Sequence, residues 1–152
     1  GLDIVGRWAP DLSKTLHGYM NRHVLRWGPA HGDFHAGNLL RDERGNPIVI
    51  DLDCVRLESP QIFDWLYFNI EWAVANEGRY WVDVLDRYLD GVVPDAIGAD
   101  TKGVDHRDPG VLLLYLLDRV GQEAKYGIRP NRAHVMRFVE RTLSRIATVN
   151  HD

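Results

Sequence analysis

The sequence predicts a mainly α-helical domain that carries one small β-hairpin (α+β), and three observations predict it. Five segments repeat apolar residues at three- and four-residue spacing, the period of a helix with one buried face. Two short apolar runs flank a Gly-Asn-Pro turn, the pattern of a hairpin. Neither an internal repeat nor a low-complexity tract interrupts the chain.

The elements follow in order. From Asp11 to Trp27 the residues Leu12, Leu16, Tyr19, Met20, His23, Val24 and Trp27 define an amphipathic helix with Asp11 or Ser13 as N-cap, ended by Gly28-Pro29. Ala30 to Leu40 is too glycine-rich and polar for regular structure. The apolar runs Asn38-Leu39-Leu40 and Ile48-Val49-Ile50 then pair across the charged tip Arg41 to Pro47. Ile62 to Ala75 is apolar around most of its circumference, as in a helix buried within a bundle. Tyr80 to Leu89 is a second, amphipathic helix closed by Gly91, and Val92 to Asp108 reads as a loop. Pro109 to Tyr126, with proline in its first turn and Gly127 after its end, and Arg132 to Val149 are the last two helices.

Composition bounds the function. With 152 residues and 45% hydrophobic content the chain buries one core, so a single domain over 1–152 is expected. A formal charge of -4, from 18 basic and 22 acidic residues, gives no basic excess to neutralise a phosphate backbone, and nucleic acid is not an expected partner. Cys54 is the sole cysteine, which excludes an internal disulfide and a Cys-rich zinc site and fits a reducing, cytoplasmic setting. Apolar runs such as Val111 to Leu117 fall short of the ~20 residues that span a bilayer, and no membrane association is expected.

Two polar motifs stand at the ends of the hairpin. Phosphoryl transfer has a loose, highly charged transition state, so it needs a carboxylate near the attacking hydroxyl and oxygen ligands for magnesium. In His31-Gly32-Asp33-Phe34-His35-Ala36-Gly37-Asn38, Asp33 and Asn38 reproduce the D-x-x-x-x-N spacing of a kinase catalytic loop. Asp51, in Ile50-Asp51-Leu52-Asp53, follows the second strand as the Asp of a DFG motif does, and the hairpin folds the chain back so that Asn38 and Asp51 approach one ion.

The first motif is similar to the H-G-D-x-H-x-x-N signature of aminoglycoside phosphotransferases, choline kinases and related protein-kinase-like small-molecule kinases, and the second resembles their I-D-x-[DE] motif. The resemblance implies the C-terminal lobe of the protein-kinase-like fold, an ATP- and Mg2+-dependent transfer to the hydroxyl of a small molecule, Asp33 as catalytic base, Asn38 and Asp51 as magnesium ligands beside the nucleotide, and His31 as a loop-shaping residue. His35 stands where many protein kinases carry a lysine facing the transferred phosphate. Asp53 is a candidate for a second ion or for steadying the loop. A third match, Phe63-Asp64 to Glu71-Trp72, implies that Asp64 steadies the catalytic loop and keeps the D, E and W of the choline-kinase pattern D-x-x-N-H-F-x-E-W, with Tyr67-Phe68-Asn69 in place of its Asn-His-Phe. Relatives carry an N-terminal lobe that grips ATP, and only ~30 residues precede His31. The expectation is a catalytic lobe cut from a longer protein, or completed by another chain, or no longer catalytic.

Plainer readings stand beside these. Asp64 reads equally as a helix N-cap, Glu71 as the ion-pair partner of an arginine, Trp72 as a core residue, and Trp65, Tyr67, Phe68 and Trp81 as packing rather than an aromatic cage. The aspartates 95, 100, 105 and 108 read as a solvated cluster. Two other classes remain: a binding or regulatory pseudokinase, and a hydrolase with zinc or manganese on His31, Asp33, His35, Asp51 and Asp53.

Overall fold

A computed structural model describes residues 9–20, 25–94 and 105–149. Helix α1 spans Ala9–Met20. Strand β1 covers Trp27–Ala30, a hairpin joins β2 (Leu39–Arg41) to β3 (Pro47–Val49), and β4 covers Arg56–Pro60. Four helices complete the described chain: α2 (Ile62–Glu77), α3 (Trp81–Leu89), α4 (Pro109–Lys125) and α5 (Arg132–Val149). The α+β class read from the sequence is the observed one.

The helices lie where their apolar spacing placed them, and their ends have local causes. Asp108, expected in a solvated cluster, is the N-cap of α4: its carboxylate accepts the N–H groups of Gly110 at 2.7 Å and Val111 at 3.3 Å, and Pro109 follows in the first turn. Asp105 instead pairs with Arg107 at 3.2 Å, while Asp95 and Asp100 lie outside the described residues. Gly78 takes a left-handed conformation at the end of α2, and its N–H bonds back to Val74. Leu66 and Ile70 of α2, Val82, Val84 and Leu85 of α3, Leu112, Leu113 and Leu116 of α4 and Phe138 of α5 form the fully buried centre. Truncating a leucine in such a centre costs about 2–5 kcal/mol.

Outside this core, α3 and α5 are laced by charge. Asp83 meets His134 at 2.6 Å and Arg137 at 2.5 Å, Asp86 meets Arg141 at 2.5 Å, and Asp90 holds Arg141 and Arg145, each at 2.8 Å. The three arginines recur at four-residue spacing, so one face of α5 runs along the acidic edge of α3.

The N-terminal part corrects the expectation. The helix expected from Asp11 to Trp27 is observed over Ala9–Met20, with Pro10 tolerated in its first turn, so Asp11 and Ser13 lie inside it rather than capping it. Residues 21–24 lie outside the described residues, and Trp27 belongs to a strand. β1 pairs antiparallel with β4 in the register Trp27 with Pro60, Gly28 with Ser59 and Ala30 with Arg56, with an irregularity between Gly28 and Ala30. Among the described residues this ribbon has two strands, each with one unpaired edge, which spares Pro29 and Pro60 a ladder bond. The hairpin pairs Leu39 with Val49, Leu40 with Ile48 and Arg41 with Pro47, about one residue from the expected runs. The missed ribbon positions the site: it sets the end of β1, at His31, beside the start of α2, at Asp64.

Candidate active site

The loop from His31 to Asn38 is held from three sides. From α2, the Asp64 carboxylate accepts the His31 N–H at 2.7 Å and the Gly32 N–H at 3.0 Å. Asp64 is in the first turn of α2 but does not cap it; the cap position is Gln61, whose side chain makes no capping bond. From the hairpin, the Ile50 carbonyl oxygen accepts Nε2–H of His31 at 2.9 Å, while Nδ1 of the same ring accepts the Asp33 N–H at 3.4 Å. One buried imidazole thus ties the loop to the strand before Asp51 and turns the backbone at Asp33. The third constraint is steric. Gly32 stands at φ 80°, and a Cβ there would collide with the carbonyl oxygen of Cys54, so only glycine fits.

The rest of the loop closes on Asp33. Asn38 is buried, and its Nδ2 donates to the Asp33 carbonyl oxygen at 3.0 Å and reaches Asp33 Oδ2 at 3.5 Å, which leaves its Oδ1 to accept a ligand. His35 caps the 3-10 turn Ala36–Asn38 by accepting the Gly37 N–H at 3.1 Å on Nδ1, and its Nε2 stands 3.7 Å from Asp33 Oδ2. The Asn38 carbonyl oxygen accepts the Ile50 N–H at 3.0 Å, so Asp51 lies one residue beyond the partner of Asn38. Asp51 has φ 60° and ψ 68°, the one non-glycine at positive φ among the described residues. Such backbone costs on the order of 1 kcal/mol and persists where its surroundings impose it, commonly at functional sites.

A cavity of about 620 Å³ opens beside Asp33, bordered by Asp33 and Asp53 on one side and by Tyr115, Asp118, Arg119 and Glu123 of α4 on the other. Tyr67 of α2 stands between them. Burial, and next the Asp33 carboxylate to which its hydroxyl bonds, push this phenol far above the ordinary tyrosine range. Burial likewise pushes Tyr115 up to about 12. Arg56 crosses from β4 to Asp118 at 2.5 Å, tying the ribbon to α4.

Glu71 and Trp72 are not part of the loop's support. Glu71 pairs with Arg119 of α4, and Trp72 is 42% exposed rather than in the core, because its position on α2 falls on the face turned away from the bundle. The sequence reading missed Arg119, whose partners on α2 and α3 lie far away in the chain, and the bond from Tyr67 to Asp33.

Among the described residues no three His, Cys, Asp or Glu side chains gather into a metal-holding group, so the zinc or manganese hydrolase has no ligand cluster. Of its further histidines, His106 lies tilted against the Trp65 ring with centroids 4.7 Å apart, His134 pairs with Asp83, and His151 lies outside the described residues. Magnesium asks less of the protein: one or two carboxylate or amide oxygens, with water and phosphate completing the shell. The hard oxygens of Asn38 and Asp51 suit it.

A helical lobe with an inserted hairpin, carrying an aspartate and an asparagine on one clamped loop, supplies the carboxylate and amide groups that phosphoryl transfer uses. The profile of the phosphotransferase enzyme family matches residues 3–101, well over half of the chain, and the chain belongs to that family. That agrees with the resemblance to aminoglycoside phosphotransferases read from its motifs. No curated protein and no solved structure gives a significant match. No helix among the described residues is long and apolar enough to cross a membrane.

Proposed function

We propose that the chain is the catalytic lobe of an ATP- and Mg2+-dependent kinase that transfers the γ-phosphate to a hydroxyl of a small molecule of the aminoglycoside, amino-alcohol or sugar class. One observation carries this reading: the clamped loop sets the Asp33 carboxylate at the edge of the 620 Å³ cavity and its neighbour Asn38 beside the hairpin that leads to Asp51. An acceptor in the cavity presents its hydroxyl to Asp33, which orients it and takes its proton as the O–P bond forms and ADP departs. Asn38 and Asp51 would hold the magnesium, which neutralises phosphate charge when bound. Asp53 lines the cavity and would steady a second ion or the acceptor. His35 would face the transferred phosphate, with Asp33 next to its Nε2. ATP as donor fits a cytoplasmic setting.

A nucleotide also needs a second wall. Leu40, Ile48, Val49 and Ile50 of the hairpin and Leu52 and Leu57 beside it are exposed. An apolar face of this kind is the surface that an N-terminal lobe, in cis or in another chain, would cover. The reading is tested by incubating the protein, completed by an N-terminal kinase lobe supplied in cis or in trans, with γ-labelled ATP and a panel of aminoglycosides, amino alcohols and sugars. Label on an acceptor hydroxyl supports the reading; hydrolysis without any acceptor product across the panel contradicts it.

A further inference from the structure

Arg119 of α4 is only 9% exposed, and what surrounds it is a cage. Its guanidinium carbon lies 4.7 Å from the centroid of the Tyr67 ring and 4.4 Å from that of Trp81. Nη1–H donates to the Tyr115 hydroxyl at 3.3 Å, Nη2 is bonded to the Glu71 carboxylate, and Nε stands 3.6 Å from Glu123. The Trp81 indole also bonds to Glu123. Burial opposes the charge, but the groups around it, Tyr115 and Glu71 foremost, outweigh that and raise the guanidinium above its ordinary range.

Two aromatic faces with carboxylates behind them are the composition that binds a methylated ammonium, which has no N–H to donate and is held by ring quadrupoles and charge. The cage also borders the cavity: Tyr67, Tyr115, Arg119 and Glu123 line it together with Asp33. Here both rings and both carboxylates are already taken by a cation of the chain itself. An arginine cannot vacate the place by losing its proton. A trimethylammonium group entering from the cavity would meet positive charge at the wall that should attract it.

We propose that Arg119 is a specificity-determining residue that fills, from within the chain, the aromatic and carboxylate cage a quaternary ammonium group requires, so that the acceptor brought to Asp33 is not a choline-type molecule. The proposal rests on the phosphotransferase reading only in taking the cavity for the acceptor site; it is read by binding, without ATP and without turnover, so the two can fail separately.

The test titrates choline and tetramethylammonium chloride into the wild-type chain, Arg119→Ala and Arg119→Lys at constant ionic strength, following the Trp81 indole resonance and the melting temperature. In wild type and Arg119→Lys no saturable change is expected up to ~10 mM. Arg119→Ala leaves two carboxylates without their cation and melts lower by roughly 5–10 °C. It is expected to bind tetramethylammonium at least about tenfold more tightly than wild type and to regain part of the lost melting temperature. Saturable binding of choline to wild type that moves the Trp81 resonance overturns the proposal, as does a folded Arg119→Ala that gains no affinity. Should Arg119→Ala fail to fold, the wild-type titration decides alone, because an occupied cage and a vacant one give opposite results there. Phosphorylation of choline by the wild-type protein would uphold the kinase reading and overturn this proposal.

Discussion

The His31 ring donates from Nε2 to the carbonyl oxygen of Ile50 at 2.9 Å, and that bond ties the loop bearing Asp33 to the strand leading to Asp51. Kinase chemistry requires this coupling, since a base and a metal ligand on separately moving segments would lose alignment with small backbone shifts. Asp64 supplies the second anchor, on the backbone of the same histidine.

Replacing Asp64 by alanine leaves two backbone N–H groups without their charged acceptor. The expected loss is about 2–3 kcal/mol of folding stability, measured by urea denaturation, with faster amide exchange at His31 and Gly32. Asp64→Asn, which offers one acceptor oxygen in place of two, is expected to lose less. Equal stability of Asp64→Ala and wild type would show that the anchor carries no energy.

Two glycines at nearly the same φ should respond differently to alanine. Gly32→Ala is expected to lose at least about 2–3 kcal/mol, because the methyl strikes the Cys54 carbonyl in addition to the left-handed strain. Gly45 has φ 82° with open space around it, and Gly45→Ala is expected to cost only the strain, about 1 kcal/mol. Paired denaturation curves check the difference.

Asp51 should separate stability from activity. Its left-handed backbone favours glycine, so Asp51→Gly is expected to stabilise the fold or leave it unchanged, by up to about 1 kcal/mol. The same substitution removes a proposed magnesium ligand and is expected to abolish phosphate transfer. A melting curve and a transfer assay on the same preparation read both effects.

The hairpin tip should depend on pH. The side-chain bond from Asn46, helped by the backbone N–H groups of Asn46 and Arg44, holds the Asp42 carboxyl below its ordinary value. A depressed carboxyl contributes stability that is present above its unfolded value near 3.8 and is lost as pH falls through the lower folded value. Amide exchange at Arg44 and Asn46 is therefore expected to accelerate in that acid window, beyond the intrinsic pH trend, and Asp42→Ala should remove the dependence.

The sequence shows the helices and the loop chemistry more clearly than the ribbon that joins them. Long apolar periods at Ile62 to Ala75 and Pro109 to Tyr126 leave one choice of structure, and the motifs around Asp33, Asn38 and Asp51 carry the resemblance that points to the phosphotransferase family. Trp27 to Ala30 and Arg56 to Pro60 carry prolines, a glycine and charges instead of alternating apolar residues, so their pairing leaves no local mark; contact between distant segments decides it. Arg119 is hidden for the same reason. An arginine in a leucine-rich helix looks like a surface residue until Tyr67 and Trp81 are seen to flank it.

The most direct measurement is single-turnover transfer of the γ-phosphate to an accepted hydroxyl substrate, comparing wild type with Asp33→Asn in the protein completed by an N-terminal kinase lobe supplied in cis or in trans. Asparagine keeps the shape and the neighbouring Asn38 contact but cannot take a proton, so the expected result is an unchanged melting temperature with a rate lower by about 10²–10⁴. Transfer at the wild-type rate by Asp33→Asn would contradict the assignment of Asp33 as the catalytic base.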